Sequence, residues 1–198
     1  MSFWDQRYST PTYVYGTEPN LFFRKHLERM SPGSILLPGE GEGRNAVFAA
    51  QSGWKVTAFD TSAEGRKKAL RLAKKNKVTI RYDLLPYLEF DHTVIYDAVG
   101  LFFTHQPSEM RKRFHLNIQQ SLKPGGIILM ETFHKSQVFR DSGGPRDEDL
   151  LFSEDELRED FPGMEMVELQ TVTRHLDEGP FHQGEAVVVQ MVAKKKKP

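Results

Sequence analysis

The segment Leu36 to Asn45, LLPGEGEGRN, constrains the fold of this chain more than any other stretch. It sets Gly39, Gly41 and Gly43 at alternate positions between an apolar run and the start of an amphipathic one. Glycines so placed let the backbone turn sharply and come close to a ligand at a helix N-terminus. By itself the pattern also fits a tight strand-to-helix turn that binds nothing. A dinucleotide loop would read G-x-G-x-x-G, and its third glycine would fall where Arg44 stands. A nicotinamide dinucleotide is therefore not the expected ligand.

Around this loop, short apolar runs alternate with longer amphipathic stretches, which is how parallel strands and their crossover helices read. Strands are predicted at 35–38, 55–60, 79–83, 96–102 and 127–132, with helices at 45–52, 63–76 and from Pro107 to about Ser121. Lys123-Pro124-Gly125-Gly126 reads as the turn into the fifth strand. A loop rich in Gly, Pro and Asp follows from about Arg140 to Asp149, and Ser153 with Glu156 three residues on marks a capped helix start. Met164 to His175 and Glu185 to Val192, joined by the polar turn Leu176 to Gly184, read as an antiparallel hairpin at the sheet edge. The expectation is α/β: one Rossmann-like three-layer domain over residues 1–198. Its seven-stranded sheet is mostly parallel and ends in the antiparallel C-terminal hairpin. Residues 1–33 are expected to form an N-terminal helix or lid, and 194–198 a solvated basic tail.

Composition narrows the partners. At 198 residues there is room for one sizeable core. Lys+Arg and Asp+Glu both number 27, so no net field draws in a polyanion, and nucleic acid is not expected as a partner. The chain opens Met-Ser-Phe-Trp-Asp-Gln-Arg without a basic-then-apolar leader, and no run of ~18 apolar residues occurs. A cytoplasmic protein without a membrane span is expected. Cysteine is absent, which removes disulfides and thiolate metal sites, and no metal-ligand cluster stands out.

Polar residues recur at strand ends, where open α/β sheets bind their ligands. Asp60 ends the second strand, nineteen residues after Gly41 (60 − 41 = 19), and a carboxylate there can accept both hydroxyls of a ribose. It could equally cap the next helix, a role open to Thr61 or Ser62. Asp83 and Leu84 end the third strand, where an adenine amino group is a plausible partner and a surface turn the plain alternative. In the run Asp97 to Phe103, DAVGLFF, Gly100 permits a close backbone approach, and the aromatic pair reads as part core and part pocket wall.

The ordered set LLPGEGEGRN, Asp60, Asp83, DAVGLFF and LKPGGIILMETF resembles the Rossmann-like (class I) S-adenosylmethionine-dependent methyltransferases, and within them the bacterial tellurite-resistance and thiopurine methyltransferase-like group. The likeness extends to Trp4-Asp5-Gln6-Arg7-Tyr8 at the start and DEGPFHQG (177–184) near the end. It implies that Gly39, Glu40 and Gly41 border the methionine part of S-adenosylmethionine, Asp60 the ribose, Thr61 the adenine edge, and Asp83 with Leu84 the adenine ring. Backbone at Gly100 and Leu101 would meet the methionyl end, with Trp4 and Tyr15 as lid residues. One position departs from the family, which usually has an acidic residue where this chain has Leu37, so Glu40 is expected to supply the missing charge. The implied acceptor is a small molecule, a thiol or chalcogen species being the class the resemblance suggests. His182, His105 and Arg140 are the candidates for removing a proton from it or orienting it, since histidine titrates near neutrality. Two other readings stay open: a cofactor-binding regulator without catalysis, and a methyltransferase acting on nucleic acid or protein.

Overall fold

The computed structural model describes residues 2–197. Its strands β1 (Ser34–Pro38), β2 (Lys55–Asp60), β3 (Arg81–Leu84), β4 (Tyr96–Phe102), β5 (Leu122–Phe133), β6 (Met164–Asp177) and β7 (Gln183–Lys195) form one sheet in the order β3-β2-β1-β4-β5-β7-β6. The first five run parallel, and β7 joins β5 and β6 antiparallel. This is the expected α/β architecture with its C-terminal hairpin.

Helices cover both faces because the central strands are buried on both. β1 exposes only Ser34 in part, and Ile35, Leu36 and Leu37 are fully buried. On one face Ile35 and Leu37 pack with α2 (Leu21–Leu27), α3 (Arg44–Gln51) and α4 (Ala63–Lys75). On the other, Leu36 and Val99 pack with Phe114 and Ile118 of α5 (Ser108–Gln120) and Leu157 of α6 (Glu154–Asp160). The alternation along β1 thus sends its side chains to two separate cores. A short α1 (Phe3–Tyr8) lies against α4, with Asp5 Oδ1 accepting from the Ser62 hydroxyl at 2.7 Å.

The chain reverses its direction of sheet building between β1 and β4, and the loops after these two strands diverge. Such a switch point opens a crevice at the carboxyl edge of the sheet. The glycine loop enters it: Gly39, Gly41 and Gly43 have φ of 61°, 58° and 87°, values that favour glycine. At Gly43 a Cβ would stand 2.5 Å from that of Ala69, so the third glycine also lets α3 and α4 approach.

Three expectations are refined. Lys123 to Gly126 fall within β5, but they bulge out of the ladder, since Tyr96 pairs with Leu122 and Ala98 with Ile127. Both hairpin strands run longer than expected. The basic tail is also corrected: Lys194 and Lys195 belong to β7, and Lys195 Nζ donates to the carbonyls of Gln119 and Leu122, both at 2.7 Å. Those carbonyls close α5 and open β5, so the lysine is held by uncapped backbone acceptors.

Candidate functional site

A cavity of about 590 Å³ lies at the carboxyl edge of the sheet. Its inner end is made by Gly39, Glu40, Asp60 and Thr61, its roof by Trp4, Arg7, Tyr8 and Tyr15, and its far wall by Phe103, His105, Gly143, Gly144, Phe181 and His182.

Asp60 ends β2 nearly buried. Its Oδ2 accepts the Gly41 N–H at 3.0 Å and its Oδ1 that of Ser62 at 2.9 Å, so one carboxylate ties the glycine loop to the start of α4. Burial raises its pKa, while the backbone N–H groups oppose the rise. Ser62 itself caps α4, which leaves Asp60 free of that duty. Gly41 does not line the cavity; its carbonyl accepts from Tyr82 Oη at 2.7 Å and its N–H holds Asp60. Two tyrosines close over the loop, with a Cβ on Gly39 falling 2.2 Å from Tyr87 Oη and one on Gly41 falling 2.6 Å from Tyr8 Oη.

Glu40 lines the cavity and is buried, and its Oε1 accepts the Ala46 N–H at 2.7 Å at the start of α3. Desolvation pushes its pKa up to about 7. Glu40 follows the place of the missing acidic residue by three positions, and its carboxyl engages the N-terminus of α3.

The roof is stapled down by a second carboxylate. Buried Glu42 accepts from the backbone N–H of Val14 at 2.8 Å and pairs with buried Lys68 at 2.6 Å, while Lys68 also reaches the carbonyl of Thr12. Arg7 spans roof and wall: it donates to Tyr15 Oη at 3.0 Å and lies 4.8 Å from the Phe3 ring and 4.4 Å from that of Phe181.

At the far wall, the turn between β6 and β7 carries Glu178 and His182, both buried. Glu178 Oε2 accepts from Arg44 Nη2 at 2.9 Å and meets His182 Nδ1 at 3.3 Å, and its Oε1 accepts from Arg174. Burial alone would raise this carboxyl, but Arg44, His182 and Arg174 hold it well below the usual range. Burial lowers His182, with Glu178 opposing. His105, also at the cavity, is lowered to about 4 by burial, its Nδ1 lying 2.9 Å from the Leu150 carbonyl oxygen. Asn20 extends the polar cluster, bonding to Glu131 at 2.6 Å, Glu178 at 3.4 Å and, through its N–H, Asn45 at 2.9 Å.

Of the residues singled out in the sequence, Gly39, Glu40, Asp60, Thr61, Trp4, Tyr15, His105 and His182 line this one cavity. Five lie elsewhere. Asp83 accepts from Arg81 at 2.9 Å, and Leu84 is exposed at the sheet margin. Gly100 makes room for packing, since a Cβ there would stand 2.6 Å from Leu37 Cδ2, and Leu101 is sealed in the core. Arg140 pairs with Glu185 at the surface. Tyr8, Tyr87 and Arg7 also line the cavity, and no sequence motif marks them as site residues. Their signal was weak, because isolated aromatic and basic residues outside the strand-end motifs look like ordinary packing.

The family model described as a methyltransferase domain matches residues 35–126. The chain is 30% identical over 112 residues to the ubiquinone biosynthesis O-methyltransferase of Rickettsia typhi, which covers 57% of this chain and 46% of that protein. It therefore spans less than half the length of this curated relative. TehB from Haemophilus influenzae superposes with a TM-score of 0.75 at 20% identity, over 98% of this chain and 66% of that one. NodS from Bradyrhizobium japonicum, in complex with S-adenosyl-L-homocysteine, superposes with a TM-score of 0.69 at 14% identity, over 88% and 83% of the two chains. The chain shares the fold of these methyltransferases, and residues 35–126 are similar to a methyltransferase domain. The likeness to TehB is one of fold.

Proposed function

We propose that this chain is an S-adenosylmethionine-dependent methyltransferase of a small-molecule acceptor, working in the cytoplasm as a single domain over residues 1–198. The observation that carries the reading is one cavity with two chemically different ends: a glycine loop with Asp60 at one, and a Glu178–His182 pair at the other. No helix among the described residues is long and apolar enough to cross a membrane.

The inner end fits the cofactor. Asp60 keeps a free lone pair on each oxygen beyond its backbone bonds, which suits two ribose hydroxyls, and Thr61 follows it toward an adenine edge. Glu40 would meet the charged amino end, and Tyr8 and Tyr87 would close over the glycine loop. When bound, S-adenosylmethionine supplies a methyl group already activated on a sulfonium. The chain's own task is then to orient the acceptor, exclude water and take a proton where the acceptor carries one. His182 suits the last step: its Nδ1 hydrogen is held by Glu178, so Nε2 is the free base facing the cavity.

The curated relatives, named as O-methyltransferases, favour a hydroxyl acceptor, whereas the resemblance to the tellurite-resistance group favours a thiol or chalcogen species. A regulator that binds the cofactor without catalysis is the second reading; the His182 base argues against it. Calorimetry should find S-adenosylhomocysteine bound and NAD not bound. His182→Ala should keep that affinity and lose methyl transfer. Tighter binding of NAD, or full turnover by a folded His182→Ala protein, would refute the respective part.

A further inference from the structure

Among the described residues, six Arg, Asp and Glu side chains line the cavity, and five of them are accounted for. Glu42 pairs with Lys68, Arg44 with Glu178 and Asp141 with Arg146. Asp60 and Glu40 are held by backbone N–H groups at the inner end. Arg7 is the sixth. Its Nη1 donates to Tyr15 Oη at 3.0 Å. Neither its other N–H groups nor the hydroxyl hydrogen of Tyr15 meets an acceptor among the described residues, and no carboxylate there is close enough to pair with it.

Arg7 belongs to the His182 end of the cavity. The ring of Tyr15, its hydrogen-bond partner, lies 4.5 Å from that of His182 by centroids. The guanidinium lies 4.4 Å from the ring of Phe181, which precedes His182 in the β6–β7 turn. A guanidinium stays protonated at every pH at which the protein is folded. At the same end Arg44 and Arg174 are balanced by Glu178 and Glu131. One positive charge is therefore left there without a counter-charge.

One unmatched cation suits a monoanion, since a doubly charged group would need a second. The surroundings decide between an inorganic and an organic one. Arg7 lies 4.8 Å from the Phe3 ring and 6.0 Å from that of Trp4, besides its contact with Phe181, so aromatic carbon surrounds the charge. A small oxyanion entering there loses its hydration and offers these rings no apolar surface in return. A carboxylate on an apolar body offers both: two oxygens for the guanidinium fork and carbon for the rings to cover.

We propose that Arg7 and Tyr15 form an anchoring subsite for a carboxylate of the acceptor, which is an organic monoanion. The carboxylate is held unchanged at the roof by the guanidinium and the phenol hydroxyl, and the methyl goes to another atom of the same molecule. Arg7 is thus a specificity-determining residue that selects for charge, whichever nucleophile the acceptor carries. This inference rests on the methyl-transfer reading above.

Calorimetry on the whole chain saturated with S-adenosylhomocysteine compares 2-naphthoate with 2-naphthamide, which share a ring system and differ in charge. Naphthoate should bind roughly tenfold more tightly or better, the worth of a charge-assisted hydrogen bond. Arg7→Met should bring the two affinities together. Tyr15→Phe, which removes only a hydroxyl, should narrow the gap, and it decides if Arg7→Met does not fold. Equal affinities in the unaltered protein, or a gap that the folded variant keeps, overturn the proposal. So does tighter binding of phosphate or selenite than of naphthoate, which makes the subsite one for inorganic anions. A second arm identifies the source of the carboxylate by comparing S-adenosylhomocysteine with its decarboxylated analogue. Removing that carboxylate should cost the same affinity in the unaltered protein and in the variant. A cost that vanishes in the variant assigns Arg7 to the cofactor and overturns the proposal while leaving methyl transfer standing. Failure of S-adenosylhomocysteine itself to bind overturns the underlying function first.

Discussion

Asp60 at the end of β2 and Glu40 in the glycine loop are two buried carboxyls that line one cavity, and they illustrate how far local partners decide a side chain's work. Asp60 is held by two backbone N–H groups and keeps lone pairs for a ligand. Asp60→Ala should weaken S-adenosylhomocysteine binding roughly tenfold or more, since two charge-assisted hydrogen bonds at ~1.5 kcal/mol or above are lost. An unchanged dissociation constant in a folded variant would take Asp60 out of the site. Glu40 is raised by burial to about 7 from an ordinary 4.5. Its folded form binds the proton more tightly than its unfolded form, so its contribution to stability is complete below pH 4.5 and is lost as pH rises through 7. Glu40→Gln keeps an acceptor for the Ala46 N–H and removes the charge, so urea unfolding of the variant should decline less between pH 5 and pH 8 than that of the unaltered protein. Parallel declines would show that Glu40 titrates normally. Both residues were legible in the sequence, Glu40 from its place in the glycine loop and Asp60 from its place at the end of the second strand. Asp83 and Arg140 looked equally suitable by position, yet each is taken up by a neighbouring charge, Arg81 and Glu185, which spacing along the chain does not reveal.

At the scale of elements, strands and their carboxyl edge could be read from the alternation of apolar runs, because burial on both faces leaves a strong periodic mark. The hairpin could be read too, from two long β-like runs around a polar turn. What periodicity does not carry is the contact between helices. α5 and α6 meet through Arg111, His115 and Asp160, all buried, with Asp160 Oδ2 accepting from Arg111 Nε at 2.7 Å and lying 2.9 Å from His115 Nδ1. Asp160→Ala leaves the Arg111 guanidinium buried beside only the distant Glu156, at 3.7 Å. A loss of about 3 kcal/mol in urea unfolding is expected, as for other broken buried pairs. A loss below ~1 kcal/mol would place the pair among exposed ones.

The whole molecule brings together groups far apart in the chain, and that explains why its roof was the least legible part. Trp4 and Tyr15 are expected over the cofactor from resemblance, but the Glu42–Lys68 pair and the Arg7 stack that hold the roof in place depend on tertiary approach. Asn20 and its partner Glu178 are 158 positions apart. A ribosome makes the chain from its N-terminus, so the roof is made long before the β6–β7 turn it closes against. Leu36 to Met130 can form their strands early, but the cavity acquires its far wall only when the β6–β7 turn has been made. The cavity of the nascent chain therefore closes only after residue 182 has been made.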